Sequence, residues 1–195
     1  KRRALDVGCA TGASTFELSR FCDEAVGVDF SQAFIDAANA LKARQELTYR
    51  STVEGEITAK ATARLPEGID PSKVTFAQGD ACDLRAEHLG GTFHVIHAVN
   101  LLCRLPDPEA FLRSLPSLLV KNGLLVLISP YSWLPGHTPK PKWIGGFASE
   151  GKPVFSAPNL QRIMTKLGFE PVEQLEDECP FLIREHRRKH QLGNS

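Results

Sequence analysis

No charge of either sign predominates in this sequence: 23 lysines and arginines stand against 23 aspartates and glutamates, a formal net charge of zero at neutral pH. A nucleic-acid partner would call for a basic face, and this balance supplies none. The cluster Arg184, Arg187, Arg188 and Lys189 near the C-terminus reads as a solvated tail. Cysteine is sparse and scattered. The five thiols, Cys9, Cys22, Cys82, Cys103 and Cys179, are odd in number and none pairs at CxxC spacing. Neither a disulfide framework nor a zinc site is expected, and reduced thiols suit a cytoplasmic protein. Long apolar runs are also missing. Nothing approaches the ~20 residues of a membrane helix, and no signal peptide is visible.

What is present is a rhythm of short apolar strands and amphipathic helices. The 195 residues fit one domain, on a usual scale of ~100–200 residues. The chain opens at Lys1 rather than at a methionine and enters a strand almost at once, so 1–195 reads as the C-terminal part of a longer polypeptide. Ala4–Val7 is a buried strand, followed by helical spacing with Leu18, Phe21 and Cys22 inward. Ala25–Asp29 is a second strand. Ser31 caps a helix whose apolar face is Phe34, Ala37, Ala38 and Leu41. From Leu47 to Leu65 the pattern alternates around Gly55, which predicts a β-hairpin insertion. Strands resume at Val74–Ala77 and Phe93–Val99, the latter holding His97, read as a satisfied core histidine. Asp107 and Pro108 open a helix bent or broken at Pro116, and Asn122-Gly123 turns into the strand Leu124–Ile128. A loop rich in Pro and Gly follows to Pro153. A last helix points Leu160, Ile163, Met164 and Leu167 inward and stops at Gly168, and Phe169–Ile183 is expected to supply two more strands. The alternation predicts an α/β, doubly wound, mostly parallel sheet of seven strands with its ligand at the strands' C-terminal ends.

Four of those strand ends carry candidate site residues. The first has Asp6, then Gly8-Cys9-Ala10-Thr11-Gly12, a turn whose glycines allow close backbone approach. Three residues lie between its glycines, unlike the GxGxxG of a dinucleotide site. Asp29, with Phe30 after it, ends the second strand, where a carboxylate can take both hydroxyls of a ribose. Asp80 and Ala81 follow the third, placed toward an adenine amino group, and Asn100 and Leu101 follow the fourth. Each alone has a plain structural reading, as a turn or a helix cap; the order of all four points to one nucleoside ligand.

From Asp6 to about Ile128 the chain resembles the class I methyltransferases, whose Rossmann-like fold binds S-adenosyl-L-methionine and whose first loop has this spacing and this preceding acid. A narrower likeness lies outside the cofactor loops, in Asn100–Pro108, Ser129–Trp133, Trp143–Gly146, Pro180–Glu185 and Val53–Glu56. These segments are similar to the C-terminal methyltransferase domain of ovothiol synthase. That resemblance implies methyl transfer to an imidazole nitrogen of 5-thiohistidine (4-mercaptohistidine), giving ovothiol A. It also implies an upstream non-haem iron sulfoxide synthase in cis. The six histidines here show no facial-triad spacing, so no metal is expected in this segment. Tyr131, His137 or Glu185 is a candidate to orient or deprotonate the imidazole, and Arg104 or Arg184 to pair with a carboxylate or thiolate. Trp133 and Trp143 either touch substrate or close a loop over the sheet. The remaining alternatives are another small nucleophile as acceptor, or a silent module that binds the cofactor without chemistry.

Overall fold

In the computed structural model, residues 1–172 are described, together with the backbone of 180–186 and 189–194. The central sheet holds five parallel strands: β1 (Arg3–Val7), β2 (Glu24–Asp29), β5 (Val74–Gln78), β6 (Phe93–Val99) and β7 (Leu119–Ile128). Their order is β5-β2-β1-β6-β7. Chain order therefore runs outward from β1 to one edge and then, from β6, to the other.

Helices cover both faces, as a parallel sheet requires. On one face α1 (Ala13–Leu18) and α2 (Gln32–Arg44) bring Phe16, Ile35 and Ala38 against Ala25, Val74 and Phe76. On the other, α3 (Pro108–Leu118) buries Phe111, Leu112, Leu115 and Leu118 over Leu5, Val7, Val26, Val28, Ile96 and Ala98. Asp107 caps α3 by accepting the Ala110 N–H at 3.0 Å, and Pro108 fits the first helical position, which has no partner for an N–H. The helix runs through Pro116 and ends two residues later instead of breaking there.

The hairpin insertion is present as β3 (Glu46–Glu54) and β4 (Ile57–Arg64), paired antiparallel. The loop after β7 carries a small hairpin, β8 (Phe147–Ser149) with β9 (Lys152–Val154), before α4 (Ser156–Lys166). The described strands of the tail do not join the central sheet. Its strands β10 (Pro180–His186) and β11 (Lys189–Asn194) pair with each other, so the main sheet has five described strands where the sequence pattern suggested seven. Two inward faces also differ in part. Helix α1 ends at Leu18, and Phe16 is buried while Phe21 is 73% exposed; in α2 Ile35 is buried and Phe34 is not. Cys22 and Ala38 are buried and Leu18 and Leu41 pack against the core as expected, so the difference is confined to Phe21 and Phe34.

Candidate functional site

The strand order reverses between β1 and β6, and open α/β sheets take their ligands at such a point, beyond the strands' C-terminal ends. A cavity of about 190 Å³ lies there, lined by Asp6, Gly8 and Cys9 from β1 and its loop, and by His97 and Val99 from β6. The loop folds over the end of β2, with the N–H groups of Gly8 and Cys9 both donating to the Val28 carbonyl at 2.8 and 3.1 Å. Gly8 (φ +77°) and Gly12 (φ +91°) adopt left-handed backbone conformations. At Gly12 a Cβ would also stand 2.4 Å from the Phe76 ring. That glycine is needed for packing inside the protein, not only for approach to a ligand.

Asp29 is fixed from both sides. One carboxylate oxygen accepts the Ala10 N–H at 2.9 Å and the other the Ser31 N–H at 2.8 Å. Each oxygen keeps further acceptor capacity, as a ribose diol needs. Phe30 beside it is 75% exposed, an apolar face turned to solvent at the rim. Asp80 is exposed after β5 and accepts the Cys82 N–H at 2.8 Å; Ala81 is buried in the core, so what it can offer a ligand is backbone. Asn100 sits after β6 at φ +56° with its N–H on the Ile128 carbonyl, and Leu101 packs toward Gly8. Ala10 (φ +47°) and Tyr131 (φ +51°) are left-handed as well. Among the described residues, three of the six left-handed non-glycine positions thus lie beyond the ends of β1, β6 and β7.

The charge around the cavity is negative. Burial first, and then the carboxylates of Asp6 and Asp29, push the Cys9 thiol up to about 12, so it remains an uncharged thiol at neutral pH. The same field suits a ligand bearing sulfonium and ammonium charge and opposes the pyrophosphate of a dinucleotide. Left-handed glycines, a carboxylate fixed at the end of β2 and negative potential together fit S-adenosylmethionine.

His97 is where the sequence reading falls short. It is satisfied, but it is no core residue: its Nδ1 lies 2.8 Å from Asp6 Oδ1 and its side chain is 20% exposed, lining the cavity. Asp6 is only 2% exposed and its second oxygen accepts the Thr15 hydroxyl at 2.6 Å. The signal lies in strand register, since Asp6 and His97 face each other across β1 and β6. No local pattern in the sequence contains it.

Beyond β6 and β7 the loops pack into one lobe. Arg104 donates to the backbone carbonyl and hydroxyl of Ser132, both at 3.2 Å. Trp133 is buried and its indole N–H donates to Ser156 Oγ at 2.8 Å; it stacks on Trp143, whose N–H goes to the Thr138 carbonyl. Both indole donors are therefore taken up in closing the loop. Tyr131 is half-buried against the larger core, and His137 is exposed on the loop. The side chains of Arg184 and Glu185, and Cys179, lie outside the described residues. Among the described residues no cluster of His, Cys, Asp and Glu could hold a metal, and no helix is long and apolar enough to cross a membrane.

A family model described as a methyltransferase domain matches residues 1–174. Among solved structures, a putative methyltransferase from Bacillus halodurans superposes with a TM-score of 0.56 at 16% identity, covering 94% of this chain and 67% of that one. The [4+2]-cyclase SpnF superposes with a TM-score of 0.57 at 20% identity, covering 88% and 52%. At such identities these likenesses establish the fold alone. The match spans 43% of the length of one further solved structure and 52% of that of SpnF.

Proposed function

The chain belongs to the family of methyltransferase domains that use S-adenosylmethionine, and we propose that it methylates an imidazole nitrogen of 5-thiohistidine to give ovothiol A. The observation that carries methyl transfer is the cavity at the strand-order reversal, with Asp6 and Asp29 setting its charge. The acceptor is supported by the segments that resemble the ovothiol synthase domain. Three of them, Asn100–Pro108, Ser129–Trp133 and Trp143–Gly146, meet in the lobe beside the cavity through the Arg104–Ser132 bonds and the paired indoles. A lobe built from the most idiosyncratic parts of a sequence suits a specific small acceptor.

Bound S-adenosylmethionine supplies an electrophilic methyl group, so the protein's part is chiefly to position the nucleophile in line with it. Asp29 would hold the ribose and Asp80 the adenine edge, leaving the reacting end toward β6 and the lobe. Tyr131 and His137 on the loop, with Glu185 beyond it, are the groups proposed to orient the imidazole or take its proton. Arg104, whose fork already braces Ser132, and Arg184 are proposed for the substrate's carboxylate or thiolate. An upstream iron-dependent sulfoxide synthase in cis and a cytoplasmic setting complete the proposal.

A second reading has a specific observation behind it. The same fold serves in a protein named as a [4+2]-cyclase, so the fold does not by itself guarantee methyl transfer. On that reading the chain is a silent module, or acts on another small nucleophile. Incubation with S-adenosylmethionine and 5-thiohistidine, followed by mass spectrometry, separates these. Ovothiol and S-adenosylhomocysteine in equal amounts are expected. Cofactor binding with no methylated imidazole would overturn the acceptor assignment.

A further inference from the structure

The cofactor reading gives Asp29 and Asp80 to the nucleoside but leaves the most elaborately held side chain of the cavity without a task. His97 and Asp6 face one another in parallel register across the two strands that flank the strand-order reversal. Asp6, 2% exposed, is an acceptor only, with one oxygen on the Thr15 hydroxyl (2.6 Å) and the other on His97 Nδ1 (2.8 Å). A neutral ring bonded to this carboxylate donates through Nδ1–H. Nε2 is left as a lone-pair acceptor on a side chain that lines the cavity. A buried carboxylate, a hydroxyl and an imidazole held by hydrogen bonds make a preorganised group, and close packing secures it. Thr15 comes within reach of Asp6 because Gly27 has no Cβ; one there would stand 2.7 Å from Thr15 Oγ1.

The position of the pair identifies what it meets. Asp29 is on β2, and Asp80 follows β5, on one side of β1; His97 is on β6, on the other. A ligand whose ribose and adenine lie toward β2 and β5 extends its opposite end toward β6. In S-adenosylmethionine that end is an amino acid carrying an ammonium group. We propose, resting on the cofactor reading above, that His97 recognises this amino-acid end, Nε2 accepting a hydrogen bond from the ammonium while Asp6 and Thr15 hold the ring. The Asp6 carboxylate behind the ring gives the negative sign that an ammonium requires.

The test compares two ligands in calorimetric titrations of the whole chain. S-adenosylhomocysteine has the amino-acid end; 5′-methylthioadenosine shares the nucleoside and thioether but lacks it. His97→Asn retains an amide donor for Asp6 and loses Nε2, and His97→Ala loses both. Both variants are expected to weaken S-adenosylhomocysteine about tenfold or more, the scale of a hydrogen bond to a charged group. Binding of 5′-methylthioadenosine is expected to stay within about twofold for His97→Asn. Equal losses for the two ligands would mean that His97 acts only through the fold, and unchanged S-adenosylhomocysteine affinity in His97→Asn would remove it from recognition; either overturns the proposal. Wild-type protein that binds neither ligand would overturn the cofactor reading itself, and the proposal with it.

Discussion

At the scale of single residues, Gly12 and Cys9 show how one loop meets two demands. Gly12 combines φ +91° with a site where a Cβ would overlap Phe76, while at Gly8 the nearest contact, 3.0 Å, is to the flexible Leu101 side chain. Gly12→Ala is accordingly expected to cost about 2–4 kcal/mol in urea unfolding, and Gly8→Ala about 1–2 kcal/mol. Equal costs would refute the packing role given to Phe76. Cys9 makes a pH prediction. Its thiol is raised from 9.0 to about 12 in the folded chain by burial and then by Asp6 and Asp29. The unfolded thiol ionises first, so Cys9's contribution to stability is intact below pH 9 and is lost as the pH rises toward 12. Cys9→Ala should flatten that alkaline decline, measured as the urea midpoint between pH 8 and 10.

At the scale of elements, α3 and the loop after β7 are joined at Asp107. Its carboxylate caps the helix through Ala110 N–H and accepts from Lys142 Nζ at 2.7 Å. That bond to Lys142, more than any other effect, holds the carboxyl below its ordinary 3.8. A depressed carboxylate stabilises above its unfolded value and loses that contribution as the pH falls through the folded one. Asp107→Ala should cost about 1–2 kcal/mol at pH 7, whereas Asp107→Asn keeps the cap and loses under about 1 kcal/mol. Both should narrow the gap in stability between pH 7 and pH 3. Elements of this kind were legible in the sequence because their signals are local: Asp107-Pro108, the Ser31 cap and the alternation around Gly55 each occupy a few residues. The buried faces of α1 and α2 were harder. Helix α1 has six residues, too few for periodicity to fix its phase, and Phe16 is chosen over Phe21 by the ring of Phe76, 5.2 Å away.

At the scale of the whole molecule, parallel strands place four loops along one edge, and reversal of their order opens the cavity between two of them. The alternation of strands and helices made this architecture readable, and with it the strand ends at Asp6, Asp29, Asp80 and Asn100. The Asp6–His97–Thr15 group was not readable, because it exists only once β6 lies beside β1. Separation in sequence hides such pairs, and it left Trp133 and Trp143 open between substrate contact and loop closure until the fold brings Ser156 and Thr138 to their indoles. The tail's apolar content suggested strands for the main sheet, and its described strands pair with each other. The central claim, that one methyl donor lies across these strand ends, is tested most directly by hydrogen–deuterium exchange with and without saturating S-adenosylhomocysteine. The account predicts added protection in the loops at 7–13, 29–31, 78–82 and 97–101 and none in the β3–β4 hairpin. Saturable binding that leaves those four loops unprotected, or protects a different face, would contradict it.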